Sequence, residues 1–215
     1  PEHSYFVQIG SDVRGGKIKL PYTMGSLNQI YEGEVGHWVN KYSLQEQSIV
    51  ITDKLDGTSC MIVYNNGKFS IAYSRGNGIE GADNTRHVKH MPSLPLTVPH
   101  NYLVVRAECI MKNDTFNTKY ASEYKNPRNM VAGMLNRKET DVDILEDIEV
   151  VAYEIVASDC SLEKLDKVEM LGKLKEFGFL VAESTTMLGN ELSDDTLSNA
   201  LYARKSASKY ALDGL

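Results

Sequence analysis

Lys54-Leu55-Asp56-Gly57 follows an apolar, β-branched run, Ser48-Ile49-Val50-Ile51-Thr52, and opens onto a second one, Thr58 to Tyr64. Both runs have strand composition, and Asp-Gly is a turn dipeptide. The tetrapeptide therefore sets a lysine at a strand end, against a turn. A lysine held there and facing a pocket becomes a nucleophile once burial or neighbouring cations lower its pKa. Taken alone, the pattern more often marks a solvated hairpin lysine, so its meaning depends on what accompanies it.

Downstream, Ser74-Arg75-Gly76-Asn77-Gly78-Ile79-Glu80-Gly81 is a glycine-dense turn with one arginine. Val105-Arg106-Ala107-Glu108 puts a carboxylate inside the apolar strand Tyr102 to Met111. Asn126-Pro127-Arg128-Asn129-Met130-Val131-Ala132-Gly133 is a Pro-Arg helix entry with small residues. Val150 to Glu154 is a further strand, carrying Tyr153, and Leu212-Asp213-Gly214 is a second Leu-Asp-Gly.

Between these motifs, Glu32 to Lys41 reads as a helix with Val35, Trp38 and Val39 on one face, and 48–74 as a hairpin pair or meander. Asn84 is placed to cap a short helix through His90, and Pro92, Pro95 and Pro99 mark a loop. Asn113 to Tyr124 reads as a loop. After strand 148–156, Ser161 is expected to cap a helix with Leu165, Val168, Leu171 and Leu174 inward and Gly178 past its end. Ser193 is expected to cap another through Arg204. Antiparallel strands interleaved with helices, without a regular βαβ alternation, give an α+β class. No internal repeat is visible.

The 215 residues suit one large domain, and 42% hydrophobic content supports a sizeable core. No run reaches the length of a membrane span, and Pro1 to Tyr5 does not look like the start of a secretory signal. With 23 basic and 29 acidic residues, net −6, a generally basic nucleic-acid surface is excluded. A local patch remains open: Arg75, Arg86, Lys89, Lys125, Arg128, Arg137 and Lys138 crowd the middle of the chain. Cys60, Cys109 and Cys160 are too far apart in sequence to suggest a metal or redox pair. They read as small core residues in apolar strands of a protein from a reducing cytoplasm, and no zinc site is expected.

In their order, these motifs resemble the adenylation domain of NAD-dependent DNA ligases, particularly the compact forms of large DNA viruses and phages. The resemblance runs from about Leu20 to the last residue. It implies a nucleotidyltransferase adenylation fold, with antiparallel sheets flanked by helices and a nucleotide cleft between them. The expected division is a short N-terminal segment, 1–20, followed by the adenylation domain, 21–215. Lys54 is implied as the nucleophile that takes AMP, with Asp56 and Gly57 orienting it and shaping the turn. Glu108 is implied at the adenosine ribose and at a metal, Tyr153 as the ring stacked on adenine, and Ser26 and Leu27 beside adenine. Arg75 is implied at the nucleotide and the nick, and Arg128 at the nick phosphate, where a forked donor suits an anion. For each residue a plainer role stands beside this one: turn chemistry for Asp56, Gly57 and Arg75, a helix cap for Ser26 and Leu27, a helix-end surface arginine for Arg128, core packing for Tyr153, and a Glu108–Arg106 pair.

Some positions depart from the family pattern. Thr52 stands where bacterial enzymes carry the glutamate that reads the adenine amino group, and its hydroxyl is the expected substitute. Asn136 replaces a DNA-contacting arginine, with Arg137 one step along. Residues 1–20 carry Tyr5 and Asp12 but no helical pair of the kind that grips nicotinamide mononucleotide. Asp213-Gly214 matches the start of a motif whose lysine is not present, and no OB-fold or DNA-clamping module follows. The expected function is the adenylation part of an NAD-dependent DNA ligase, passing AMP from NAD with Mg2+ to Lys54 and then to the 5′-phosphate of a nick in double-stranded DNA. The chain is expected to be either a fragment or one subunit of a split ligase, with a second polypeptide carrying the remaining motifs as partner, and the cytoplasm (the host's, if the source is viral) is the expected location. An ATP-dependent polynucleotide ligase and a non-catalytic nucleotide- or nick-binding subunit are the alternatives.

Overall fold

The computed structural model describes residues 16–215; Tyr5 and Asp12 lie outside them. In chain order the strands and helices are β1 (Ile18–Lys19), α1 (Val35–Lys41), β2 (Ser48–Thr52), β3 (Lys54–Leu55), β4 (Thr58–Asn65) and β5 (Lys68–Ser74). β6 (Glu80–Gly81), α2 (Thr85–Val88), β7 (Tyr102–Met111), α3 (Asn113–Lys119), α4 (Pro127–Leu135) and α5 (Val142–Leu145) follow. The last are β8 (Ile148–Ser158), α6 (Lys167–Glu176), β9 (Leu180–Val181), β10 (Ser184–Leu188), α7 (Asp194–Ala207) and β11 (Leu212–Gly214).

The frame is a five-stranded sheet in the order β5-β4-β7-β8-β9, antiparallel except for the parallel β8–β9 edge. Alternation along β4 and β7 sends Cys60, Ile62, Tyr64, Leu103, Val105, Ala107, Cys109 and Met111 into the main core under α4 and α6. On the opposite face Met61, Val63 and Val104 form one apolar cluster with Leu20 and Met24. Ile110 and Val151 form another with Tyr210. Burial on both faces explains why β7 reads as almost continuously apolar. The gap between the two opposite-face clusters is filled by Ser59, Arg106 and Glu108, and there the site lies.

A fourth apolar nucleus, Val35, Val39, Ile51 and Leu192, packs α1 and β2 together. The 48–74 run is therefore not one meander. β4 and β5 make a hairpin, whereas β2 leaves to pair with β10, Thr52 opposite Ser184. β3 pairs with β11, so the two Leu-Asp-Gly segments lie antiparallel, Leu55 opposite Leu212 and Lys54 opposite Gly214, with a bulge that frees Asp213.

Four expectations are corrected. Asn113 to Lys119 is a helix, not loop, because burial of Phe116 overrides a weakly helical composition. Ser161 sits at φ +62 before a 3-10 turn, and α6 is capped instead by Asp166, whose carboxylate accepts from the Glu169 N–H at 2.9 Å. The shifted start turns Val168 out to 53% exposure and puts Met170 in the core. The first helix begins at Val35, not Glu32. Asn84 stands at the N-cap of α2, but its side chain makes no capping bond and the helix ends at Val88. Ser193 does cap α7, accepting from the Thr196 N–H at 3.1 Å. Among the described residues no helix is long and apolar enough to cross a membrane.

Candidate active site

Lys54 reaches the bulge in β11. Its ammonium donates to both carboxylate oxygens of Asp213, at 2.6 and 2.5 Å. The pair is a third exposed on each side, 38% and 34%, so water and a ligand can reach it. Asp56, at the following turn, accepts from Arg128 Nη1 at 2.6 Å. Arg128 stands just inside the start of α4, whose Asn126 side chain accepts from the Asn129 N–H at 2.8 Å with Pro127 at the first position. The Pro-Arg entry thus brings a guanidinium to the turn after Lys54.

Gly57 holds the turn against β7. A Cβ there would lie 2.5 Å from the Cys109 carbonyl oxygen and 2.8 Å from Glu108 Cγ. Only a residue without a side chain lets the turn approach so closely. Glu108 itself is buried, 7% exposed, and accepts from Ser59 Oγ at 2.9 Å. Burial pushes its carboxyl up to about 7, against the Ser59 and Gly57 donors and the Arg128 charge that pull it down, and Asp213 pushes it further up. Tyr153 is half-buried beside Ser59 and Glu108, and burial raises its hydroxyl first, the Glu108 charge second. Lys167, at the start of α6, donates to the Tyr153 carbonyl and fixes the backbone behind that ring. Burial lowers the Lys167 ammonium against the opposing pull of Glu154.

The expected alternative pairing of Glu108 with Arg106 is not formed. Arg106 turns instead to Glu154, 2.8 Å away on β8, and to the Thr23 carbonyl. The β-bulge between Arg106 and Ala107 aims it there, leaving Glu108 without a neighbouring cation on its own strand. Arg75 and Ser26 meet: Arg75 Nη2 donates to Ser26 Oγ at 2.7 Å and its Nε to the Met24 carbonyl at 3.2 Å. Gly76, at φ +54, turns the chain there, and a Cβ would strike the Glu80 carbonyl at 1.9 Å. Leu27 beside them is 74% exposed, and Ser26 caps no helix, since the next one begins at Val35. Thr52 ends β2 two residues before Lys54, half-buried.

The structure thus gathers Lys54, Asp56, Gly57, Glu108, Arg128 and Tyr153 into one cluster, and Arg75 with Ser26 into a second. Arg106 links the Thr23 segment beside the second to the sheet of the first. Sequence reasoning left out Asp213, although its Leu-Asp-Gly repeat was the available signal, and Ser59 and Lys167, which carried none. It also missed Asp53, buried one residue before Lys54 and held bidentately by Arg204 at 2.9 and 2.7 Å. That pair opens into a cavity of about 480 Å3, on the side of the strand away from Lys54 by alternation. Cys60 and Cys109 do come together, Sγ to Sγ 3.5 Å, on neighbouring strands behind Glu108, whereas Cys160 is exposed rather than in the core.

A family model for the NAD-dependent DNA ligase adenylation domain matches residues 16–215. The DNA ligase of Acanthamoeba polyphaga mimivirus is 34% identical over all of this chain, which covers 33% of that protein. A putative DNA ligase, 205R, of Invertebrate iridescent virus 6 is 32% identical over 96% of the chain and 34% of its own length. The chain therefore spans about a third of these curated relatives. A solved structure described as a putative ATP-dependent DNA ligase from Aquifex aeolicus shares the fold, with a TM-score of 0.53 over 93% of this chain and 49% of that one at 14% identity.

Proposed function

Since the chain belongs to the family of NAD-dependent DNA ligase adenylation domains, we propose that it accepts AMP from NAD on Lys54 and passes it to the 5′-phosphate at a nick in double-stranded DNA. In the first step the uncharged Lys54 Nζ attacks the α-phosphorus of NAD. A P–N bond forms, the bond from that phosphorus to the bridging oxygen breaks, and nicotinamide mononucleotide leaves with that oxygen. In the second, a 5′-phosphate oxygen attacks the same phosphorus and Lys54 is the leaving group.

The observation that carries this reading is the Lys54–Asp213 contact. Before it can attack, the ammonium must shed a proton, and the carboxylate that already accepts two of its N–H groups is placed to hold that proton. Arg128, beside Asp56, offers a guanidinium to a phosphate. Arg75 and Ser26 offer a donor pair on a second wall, and the Tyr153 ring an apolar face for a base.

Mg2+ suits the donor set here. Glu108 is pushed up to about 7 first by burial and least by Asp213, and a divalent cation would offset the cost of a buried carboxylate. One or two carboxylates are what Mg2+ takes from a protein at a phosphate site. Glu108 would hold it, leaving Asp213 to Lys54, and bound there it would offset charge on the phosphate oxygens. NAD is favoured as donor by the family match, and Thr52 is the side chain offered to the adenine amino group.

The test is adenylate transfer from NAD or ATP, each labelled in the AMP moiety, with Mg2+. The reading expects label on the protein from NAD, discharged to the 5′ end of added nicked DNA. Label from ATP alone would overturn the choice of donor, and label from neither would overturn the enzyme reading.

A further inference from the structure

At the end of the central sheet far from Glu108, the chain enters β7 through His100 and leaves β8 through Asp159-Cys160. Because Leu103 pairs with Ser158, the two ends meet. The His100 Nδ1 lies 3.3 Å from Asp159 Oδ1 and 3.5 Å from Cys160 Sγ, and one donor atom from each residue lies within 4.8 Å of the others. Tetrahedral zinc, with metal–ligand bonds of about 2.0–2.3 Å, spaces neighbouring donors about 3.3–3.6 Å apart. The imidazole already stands at that spacing from both the carboxylate and the thiol.

Two of the three are also oriented from behind. The second Asp159 oxygen accepts from the Asn101 N–H at 2.9 Å, which turns the first toward the imidazole. The ring of His100 stands edge-on to Phe177 at 5.0 Å between centroids. Such outer contacts set ligand direction at metal sites. Cys160 is exposed, so the ion has an entry path and a fourth position open to water.

We propose that His100, Asp159 and Cys160 form a zinc site. A thiolate with an imidazole selects a borderline ion over Mg2+ or Ca2+. Bound there, zinc crosslinks the start of β7 to the end of β8, the strands that carry Glu108 and Tyr153. Lying at the end of the sheet far from Glu108, it is independent of AMP transfer.

The test titrates metal-free full chain with Co2+ and then Zn2+, following absorbance and melting temperature. The proposal expects one Co2+ per chain with a thiolate-to-metal charge-transfer band and intense tetrahedral ligand-field bands. Zn2+ should displace it and raise the melting temperature. In Cys160→Ser the charge-transfer band should vanish, with Cys60 and Cys109 retained as internal controls, and His100→Gln should weaken affinity at least about tenfold. Metal-free melting of both variants should match the parent, as expected for partly exposed positions. A missing charge-transfer band in the parent, or equal affinity in all three proteins, would overturn the site and leave an ordinary His–Asp ion pair beside a bystander thiol.

Discussion

Asp213 closes on the Lys54 ammonium with both carboxylate oxygens, at 2.6 and 2.5 Å, joining residues 159 positions apart through the two Leu-Asp-Gly segments. An ion pair so accessible to water contributes little to stability, about 0–1 kcal/mol. Under the proposed function, its value is in placing the proton that the lysine must lose. Asp213→Asn is therefore expected to keep the parent's melting temperature and slow protein adenylation by about 10²-fold or more. Single-turnover labelling read beside thermal unfolding checks this, and a rate equal to the parent's contradicts the role.

Glu108 should make the ligand-free protein sensitive to pH. Its folded-state pKa of about 7 lies above the ordinary 4.5, so between those values the folded state binds more protons than the unfolded one. Stability then falls as pH rises through that window and levels off above it, by about 3 kcal/mol in all. Glu108→Gln should remove this fall, appearing more stable than the parent at pH 8 and similar at pH 4, while weakening nucleotide binding. Urea midpoints at the two pH values give the comparison. An equal pH dependence in both proteins would show that the carboxylate is not desolvated.

Gly57→Ala puts a methyl 2.5 Å from a backbone carbonyl oxygen. The turn must move away from β7, at a cost of about 1–3 kcal/mol, and the displacement carries Lys54 and Asp56 with it. Denaturant unfolding should show the loss, and labelling should fall further than stability at a temperature where the variant is fully folded. Parent-like stability would mean that the close approach is absent in solution.

Arg204→Ala leaves the Asp53 carboxylate, 4% exposed, without its bidentate partner. Breaking a buried pair on one side costs about 3–5 kcal/mol; with Arg204 a third exposed, about 2–3 is expected. Adding Asp53→Asn to the variant should recover part of the loss, as a double-mutant cycle would read. Full additivity would deny the coupling.

The frame was legible where a pattern served one purpose. Tyr102 to Met111 gave β7 to the residue, and Pro127 after Asn126 gave the start of α4. The fragments that failed were set by distant burial: Asn113 to Lys119 became a helix when Phe116 found the core, and Asp166 displaced Ser161 as cap one turn later. At the site, the motif residues were readable because each carries chemistry in its own type and setting. Arg106 and Glu108 share a face of one strand and so invited a pairing. The β-bulge that sends Arg106 to Glu154 has no local sequence signal. Asp213 lay in plain view as a second Leu-Asp-Gly, but nothing in the sequence says that two such turns will pair edge to edge.

The most direct test of Lys54 as the acceptor is intact mass after incubation with NAD and Mg2+, followed by peptide mapping. The account predicts a single added AMP, acid-labile as a phosphoramidate, on the peptide containing Lys54, and none on the Lys54→Ala protein. An adduct of unchanged yield on that variant, mapped to another lysine, would contradict it.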